Sequence, residues 1–90
     1  MLKLQFSSKY KKDYKLIKKR GYDESKLIEV IKILQQEKTL DVKYKDHALI
    51  GDYEGYRECH IESDWLLIYK IENKRLILVL SRTGTHSDLF

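Results

Sequence analysis

Three histidines are the side chains best suited to acid–base chemistry, and all lie in the second half of the chain. They are His47, His60 and His86. The carboxylate and guanidinium groups nearest to them in the sequence belong to Asp64, Arg57 and Arg82. Imidazole changes charge near neutral pH, so it can take up or deliver a proton there. Imidazoles, a carboxylate and guanidinium groups together predict a site that moves protons and stabilises negative charge.

Cleavage of an RNA phosphodiester needs this set of groups and no cofactor. The 2′-hydroxyl attacks the adjacent phosphorus, so a base must take its proton and an acid must protonate the leaving 5′-oxygen. Fixed positive charge stabilises the crowded phosphorane between these steps. Because the nucleophile is the 2′-hydroxyl, the expected substrate is RNA and not DNA.

Spacing along the chain disfavours two other chemistries. Successive histidines are 13 and 26 residues apart, which is not a known zinc-ligand signature, so no metal site is expected. Cys59 adjoins His60, but adjacent strand residues point to opposite faces and cannot easily form a thiolate–imidazolium pair. Cys59 is therefore expected in the core.

Two aromatic side chains are candidates for stacking on an RNA base, Trp65 and Phe90. Trp65 opens a predicted strand next to Asp64, where its ring could be half exposed. The alternative is that Trp65 packs in the hydrophobic core, as most strand tryptophans do. Phe90, the last residue, is not expected in the core.

Two helices are predicted between residues 7 and 36. Ser7 or Ser8 can cap the first, and Gly21 ends it. Its inward stripe is Tyr10, Tyr14 and Ile17, with Leu16 beside them. Asp23 caps the second helix. The buried stripe of that helix is Leu27, Val30, Ile31 and Leu34.

Strands are predicted on both sides of this helical hairpin. Residues 2–6 alternate apolar and polar side chains, as a half-buried strand does. The later strands are expected at 47–50, 56–61, 65–71 and 75–82, with turns at 62–64 and 72–74. Because short turns join them, they should be antiparallel neighbours. The expected fold is α+β: one domain, 1–90, with an N-terminal strand and helical hairpin on a four- to five-stranded, mainly antiparallel sheet.

Positive charge is concentrated at the N-terminus. The net charge is +4, but residues 1–20 hold eight Lys or Arg against one Asp, a net of +7. The outward-facing members expected to contact a polyanion are Lys11, Lys12, Lys15, Lys18 and Lys19. A solvated helix face that only keeps the protein soluble is the alternative. No segment has the apolar length of a signal peptide or membrane span, so a cytoplasmic protein is expected.

Three segments resemble the YafQ group of bacterial toxins, within the RelE/ParE superfamily of toxin–antitoxin systems. They are YKDHALIG (44–51), YRECHIESDWLLIYKI (56–71) and LSRTGTHSDLF (80–90). The resemblance implies a RelE-like fold and a ribosome-dependent endoribonuclease that cuts messenger RNA. It also implies the active residues His47, His60, Asp64, Trp65, Arg82, His86 and Phe90. His86 is the implied general acid, and we hypothesise that Asp64 and His60 act together near the nucleophile while His47 orients or stabilises the phosphate.

The resemblance also implies partners. A small acidic antitoxin similar to the DinJ-type ribbon-helix-helix proteins is expected to silence the toxin, and operator DNA is expected to be bound only by the toxin–antitoxin complex. The ribosome and messenger RNA are the other partners. Two alternatives share the fold: a ParE-like gyrase poison, against which the three histidines argue, and a non-catalytic protein-binding module.

Overall fold

The computed structural model describes all 90 residues and has the predicted α+β class. Its strands are β1 (Lys3–Phe6), β2 (His47–Ala48), β3 (Arg57–Glu62), β4 (Trp65–Glu72) and β5 (Ile77–Gly84). Its helices are α1 (Ser8–Lys19), α2 (Glu24–Gln35) and α3 (His86–Leu89). Short 3₁₀ turns at Val42–Tyr44 and Gly51–Tyr53 lie on either side of β2. None of the helices is long and apolar enough to cross a membrane.

The helical hairpin begins and ends where the sequence predicts. The Ser7 hydroxyl accepts a hydrogen bond from the Tyr10 backbone N–H at 2.9 Å and donates one to the Ser81 carbonyl at 2.6 Å. Gly21 follows α1 with φ +76°, a left-handed conformation that glycine adopts without steric cost. The Asp23 carboxylate caps α2 by accepting from the Ser25 N–H. These caps fix where each helix starts, and therefore which stripe faces the sheet.

The sheet has five strands in the order β1-β5-β4-β3-β2. Strands β2 to β5 are antiparallel neighbours, as predicted, and β1 pairs with β5 in parallel. The pairing of β1 with β5 runs from Lys3–Ile77 to Phe6–Leu80, so the last residues of β5 extend beyond β1. Strand β1 is an edge strand, and its four residues are exposed.

Both faces of the sheet are covered, by different elements. On one face the stripes of α1 and α2 pack on the apolar side chains of β4 and β5, among them Leu67, Tyr69, Leu78 and Leu80. On the other face Leu66 and Ile68 are covered by Leu89 of α3, with Leu49, Tyr53 and Tyr56 partly buried beside them. This second cover explains why β4 is apolar on both faces. We call its side of the sheet the second face.

Near the end of β5, a β-bulge changes which face of the sheet each side chain points to. Leu80 lies opposite Tyr69 and Arg82 opposite Ile68, so Ser81 is the additional residue. Without this bulge, Arg82 would continue the side of Leu78 and Leu80 and point toward the helices. With it, the guanidinium side chain lies on the second face.

Two strands and one helix differ most from the sequence prediction. β5 runs from Ile77 to Gly84 instead of 75–82, because Leu76 adopts φ +55° and extends the preceding turn. β2 ends at Ala48 instead of residue 50. The helix α3 was not predicted. Thr85 caps it, and the Thr85 and Asp88 side chains satisfy each other's backbone N–H groups in a capping box.

Candidate active site

The three histidines converge on the second face from three separate elements. His47 lies on β2 opposite Glu58, His60 lies on β3 opposite Leu66, and His86 begins α3. The ring centroids of His47 and His60 are 6.5 Å apart, and those of His60 and His86 are 5.8 Å apart. Groups 39 residues apart in the chain therefore form one row. The histidines therefore share one face of the sheet, as the sequence predicts.

Each imidazole is oriented by a hydrogen bond from Nδ1. His47 Nδ1 donates to the Lys45 carbonyl at 2.7 Å, and His60 Nδ1 donates to the Ser63 carbonyl at 3.3 Å. His86 Nδ1 donates to the Asp64 carboxylate at 2.7 Å. Since Nδ1 holds the proton of a neutral ring in each case, Nε2 is left free to accept one. All three rings can therefore act as bases when neutral and as acids when protonated.

Glu58 is a site residue that the sequence reasoning missed. Its side chain is 7% exposed, and its Oε1 lies 3.5 Å from Nε2 of His47 and 3.7 Å from Nε2 of His60. The carboxylate can accept a proton from either ring once that ring is protonated at Nε2. A signal was present in the sequence, because residues 58 and 60 of a strand must share a face.

Asp64 is paired with His86 and not with His60, which corrects the predicted pairing. The Asp64 carboxylate accepts from both Nδ1 and the backbone N–H of His86, at 2.7 and 3.0 Å. These bonds lower the pKa of Asp64 below its usual range, the backbone hydrogen bond contributing most. The turn after β3 places this carboxylate at the start of α3, where it orients the imidazole. His60 contacts Ser63 and Glu58 instead.

Arg82 supplies positive charge to the same face. Its guanidinium makes two bonds to the Asp13 carboxylate of α1, from Nε at 2.7 Å and from Nη2 at 3.1 Å. The hydrogen bonds to Asp13 raise the pKa of Arg82 above its usual value, so the group stays charged. It borders a cleft of about 620 Å³ that is also lined by Lys9, Tyr53 and Phe90.

Phe90 and Trp65 have opposite environments. Phe90 is 65% exposed and packs edge-on against Tyr53, with ring centroids 5.8 Å apart. Trp65 is only 2% exposed; it packs against Tyr22, and its Nε1 donates to the Thr83 hydroxyl. The proposed stacking of Trp65 on a base is therefore wrong, because the ring lies on the helix-covered face. Tyr53, which the sequence reasoning did not select, is the aromatic neighbour of Phe90 instead.

Arg57 also lies away from the histidines. It is opposite Tyr69 and on the same side of β3 as Cys59, so it shares the face that the helices cover. Its guanidinium pairs with Asp46 at 3.2 Å, and the Tyr69 hydroxyl donates to the same carboxylate. The expectation that Arg57 joins the histidines in one site is therefore wrong. Cys59 is fully buried, as expected, and burial raises the pKa of its thiol to about 12.

All five lysines predicted to face outward on α1 are exposed. They do not all border the same groove. Lys11 and Lys15 border an apolar groove between α1, α2 and β1, whereas Lys12 and Lys19 do not line it. Lys18 lies over the Tyr14 ring, 5.8 Å from its centroid. Lys9, outside the predicted set, is the α1 lysine that reaches the cleft beside Arg82.

Three groups of the site have the arrangement of metal ligands. Glu58, His60 and His86 each offer one ligand atom, and these atoms all lie within 4.8 Å of one another. Spacing along the sequence does not reveal this cluster, because the sheet brings a strand carboxylate and two distant imidazoles together. One carboxylate oxygen and two imidazole nitrogens suit a transition metal such as copper or zinc.

Comparison with known proteins agrees with this fold. Residues 2–90 match the family described as "Bacterial toxin of type II toxin-antitoxin system, YafQ". The chain is 44% identical over 88 residues to the mRNA interferase toxin YafQ of Escherichia coli K12, covering 97% of this chain and 94% of that one.

Two solved structures extend the comparison. The toxin in the E. coli DinJ-YafQ complex has a TM-score of 0.89 and 41% identity, over 100% of this chain and 99% of that one. A metal-bound toxin from Helicobacter pylori has a TM-score of 0.94 and 43% identity over the whole of both chains. On the family match and the full-length identity, this chain belongs to the YafQ family of bacterial type II toxins.

Proposed function

We propose that this protein is an endoribonuclease that cuts messenger RNA on the ribosome and inhibits translation. The observation that carries the proposal is the row of three imidazoles, each with Nδ1 hydrogen-bonded to an oxygen, so that Nε2 is the nitrogen that can gain or lose a proton. The E. coli relative is named an mRNA interferase, which is the same activity. The chemistry is attack by the RNA 2′-hydroxyl, with side chains alone moving the protons.

Each group of the row has a role in this reaction. His86 is the general acid for the leaving 5′-oxygen, because Asp64 holds its ring through Nδ1 and its side chain is about half exposed. The Glu58–His60 pair takes the 2′-hydroxyl proton, because it is the most enclosed part of the row. His47 orients the phosphate. Arg82 stabilises the negative charge of the phosphorane.

Substrate binding extends from this row in two directions. Phe90 and Tyr53 line the cleft beside Arg82. A base stacked on Phe90 there would lie at the end of the four-residue helix that begins with His86. The exposed lysines of α1 add positive charge beyond the cleft. We propose that they bind phosphates of ribosomal RNA.

The partner is a small acidic antitoxin. The groove between α1, α2 and β1 has a volume of about 640 Å³ and exposes Leu4, Phe6 and Ile28 at its surface. Lys11, Lys15 and Lys32 border it. An amphipathic segment would match this groove, because its apolar stripe would cover the apolar lining and its acidic residues would pair with the lysines. A disordered antitoxin tail that folds on binding would supply such a segment. The E. coli YafQ is bound by DinJ. Operator DNA would be bound by the complex only, and the site of action is the cytoplasm.

The two other functions considered on this fold are less consistent with the site. A ParE-like gyrase poison or a protein-binding module needs a surface and no proton transfer. Here the side chains of His47 and His86 are 49% and 54% exposed while their rings are held by specific hydrogen bonds. Orienting exposed imidazoles in this way has a use in catalysis and none in simple association.

Product analysis tests the proposal. The purified protein is incubated with ribosomes translating a defined message, and the ends of the fragments are determined. We expect the upstream fragment to carry a 2′,3′-cyclic phosphate, and a single 2′-deoxy substitution at the cut to abolish cleavage. Intact message, or an upstream fragment with a plain 3′-hydroxyl, would rule the mechanism out.

A further inference from the structure

Arg82 is held in place from a different part of the chain. The Asp13 carboxylate, on α1, accepts from Nε and Nη2 of the guanidinium, and both side chains are largely enclosed, with exposures of 12% for Asp13 and 18% for Arg82. Nη1 takes part in neither bond. The ion pair therefore fixes the plane of the guanidinium and determines in which direction its remaining donor points.

Asp13 also fixes the backbone beside Arg82. Its Oδ2 accepts from the Thr83 N–H at 3.2 Å. Because β1 pairs with β5 only as far as Leu80, no strand provides a partner for this N–H, and the α1 carboxylate does so instead. The Thr83 hydroxyl is bonded in turn to Leu66 and Trp65. The carboxylate thus holds the chain at the bulge that places Arg82 on the second face.

A second ion pair joins α1 to the end of the same segment. Arg20, which follows α1, makes a bidentate pair with Asp88 at 2.6 and 3.0 Å. Asp88 closes the capping box that starts α3 at His86. The segment 82–90, which carries the proposed acid and the aromatic Phe90, is therefore anchored to α1 at both ends.

We propose that Asp13 is a positioning residue of the active site, which directs Arg82 at the scissile phosphate without touching RNA. This inference rests on the proposed nuclease function. A donor that is already oriented stabilises a transition state without reorganising at the moment of reaction. Because the carboxylate also offsets part of the Arg82 charge, a role as an inhibitory group would have the opposite effect on the rate. If removal of Asp13 lowers the cleavage rate, Asp13 positions Arg82. If removal raises the rate, Asp13 inhibits the enzyme.

Single-turnover cleavage with ribosomes in excess tests the role of Asp13. Asp13→Ala is expected to lower the rate between about 10-fold and 100-fold, with the ribosome concentration for half-maximal rate unchanged. Asp13→Asn keeps the shape and one acceptor oxygen and should lose less, and Asp13→Glu should recover part of the loss. Glu72→Gln, which removes an acidic partner of the exposed Arg75, is the charge-matched control and should cleave at the wild-type rate.

A double-mutant cycle separates positioning from general support of the fold. If Asp13 acts through Arg82, Asp13→Asn should cause no further loss of rate in the Arg82→Ala protein. An equal loss in both backgrounds would overturn the proposal, as would a rate for Asp13→Asn at or above that of the wild type. Absence of cleavage by the wild-type protein would contradict the nuclease function itself, which is a different result.

Discussion

The Asp64 carboxylate accepts two hydrogen bonds from His86, one from Nδ1 at 2.7 Å and one from the backbone N–H at 3.0 Å. A single side chain from the turn between β3 and β4 thus fixes both the ring and the helix turn that carries it. The two residues are 22 positions apart, and only the sheet brings them together. Asp64 is therefore proposed to orient the general acid and not to act as the base.

Substitution of His86 and of Asp64 should give different losses. His86→Ala is expected to lower the cleavage rate by about 10²–10⁴-fold while ribosome binding persists, because a positioned acid contributes that much. His86→Gln should do no better, since an amide cannot deliver a proton. Asp64→Asn keeps an acceptor oxygen and should lose about tenfold. Full activity of His86→Ala would show that another group protonates the leaving oxygen.

The Arg20–Asp88 pair should make the protein sensitive to acid. The Arg20 guanidinium holds the pKa of Asp88 well below its usual range, with help from the Thr85 N–H. A carboxylate with a lowered folded-state pKa contributes stability above its ordinary pKa of about 3.9, and this is lost as the pH falls through the folded value. The wild type should therefore melt above Asp88→Asn at pH 7, and the gap should narrow steadily as the pH falls from about 4 to 2. Glu54→Gln, a substitution at an exposed residue, is the control. Its melting temperature should differ from that of the wild type by the same amount at every pH.

Substitution of Phe90 should change activity, whereas substitution of Trp65 should change stability. Phe90→Ala is expected to lower cleavage with no fall in melting temperature, because the exposed ring contributes about 1–3 kcal/mol only when a base stacks on it. Trp65→Ala should instead destabilise the protein by about 3–5 kcal/mol, since that ring is in the core. Thermal melting and cleavage, measured on the same preparations, show which of the two properties each substitution changes. A large fall in melting temperature for Phe90→Ala would remove that ring from the substrate site.

The sequence predicts those features of the fold that depend on local periodicity. Serine and aspartate caps, the apolar stripes of two helices and the antiparallel order of four strands were all predicted. Periodicity does not predict the face on which Arg82 lies, because that face depends on the bulge at Ser81. A bulge moves every later side chain of the strand to the other face. Trp65 and Arg57 were assigned to the site for their side-chain chemistry, but strand alternation places both on the helix-covered face.

The site could be predicted in outline but not in its pairings. The three histidines were expected on one sheet face because their strands are neighbours. The partners of the site depend on contacts between distant elements: Asp64 meets His86 through a helix that was not predicted, and Arg82 meets Asp13 across 69 positions. Glu58 was within reach of sequence reasoning, since a strand residue two positions before His60 shares its face.

The α1 lysines should divide into two functional groups. Neutralising Lys12 and Lys19, which do not line the groove, is expected to weaken ribosome binding at moderate salt and reduce its salt dependence. Neutralising Lys11 and Lys15, which border the groove, should weaken binding of the antitoxin more than binding of ribosomes. Co-sedimentation with ribosomes and titration with the antitoxin measure the two effects separately. Equal effects of both pairs on both partners would show that α1 acts as one undivided basic surface.

Added transition metal should inhibit the enzyme by occupying its proton-transfer groups. The ligand atoms of Glu58, His60 and His86 lie within 4.8 Å of one another, and a related toxin from Helicobacter pylori has been crystallised with metal bound. An ion held there would take the imidazole nitrogens that must exchange protons, so copper(II) or zinc(II) should slow cleavage. EDTA should reverse this and, with the magnesium of the ribosome kept in balance, should have no effect on metal-free protein.

Calorimetry on the free toxin tests the metal site without reference to cleavage. Glu58→Gln and His86→Ala should each weaken zinc binding by at least about tenfold, because each removes one of the three ligands. His47→Ala is the matched control: it removes a histidine of the same face that lies outside the three-ligand group, and it should keep most of the affinity. If EDTA instead abolishes cleavage and zinc restores it, the ion is part of the reaction, and acid–base catalysis by the side chains alone is the wrong mechanism.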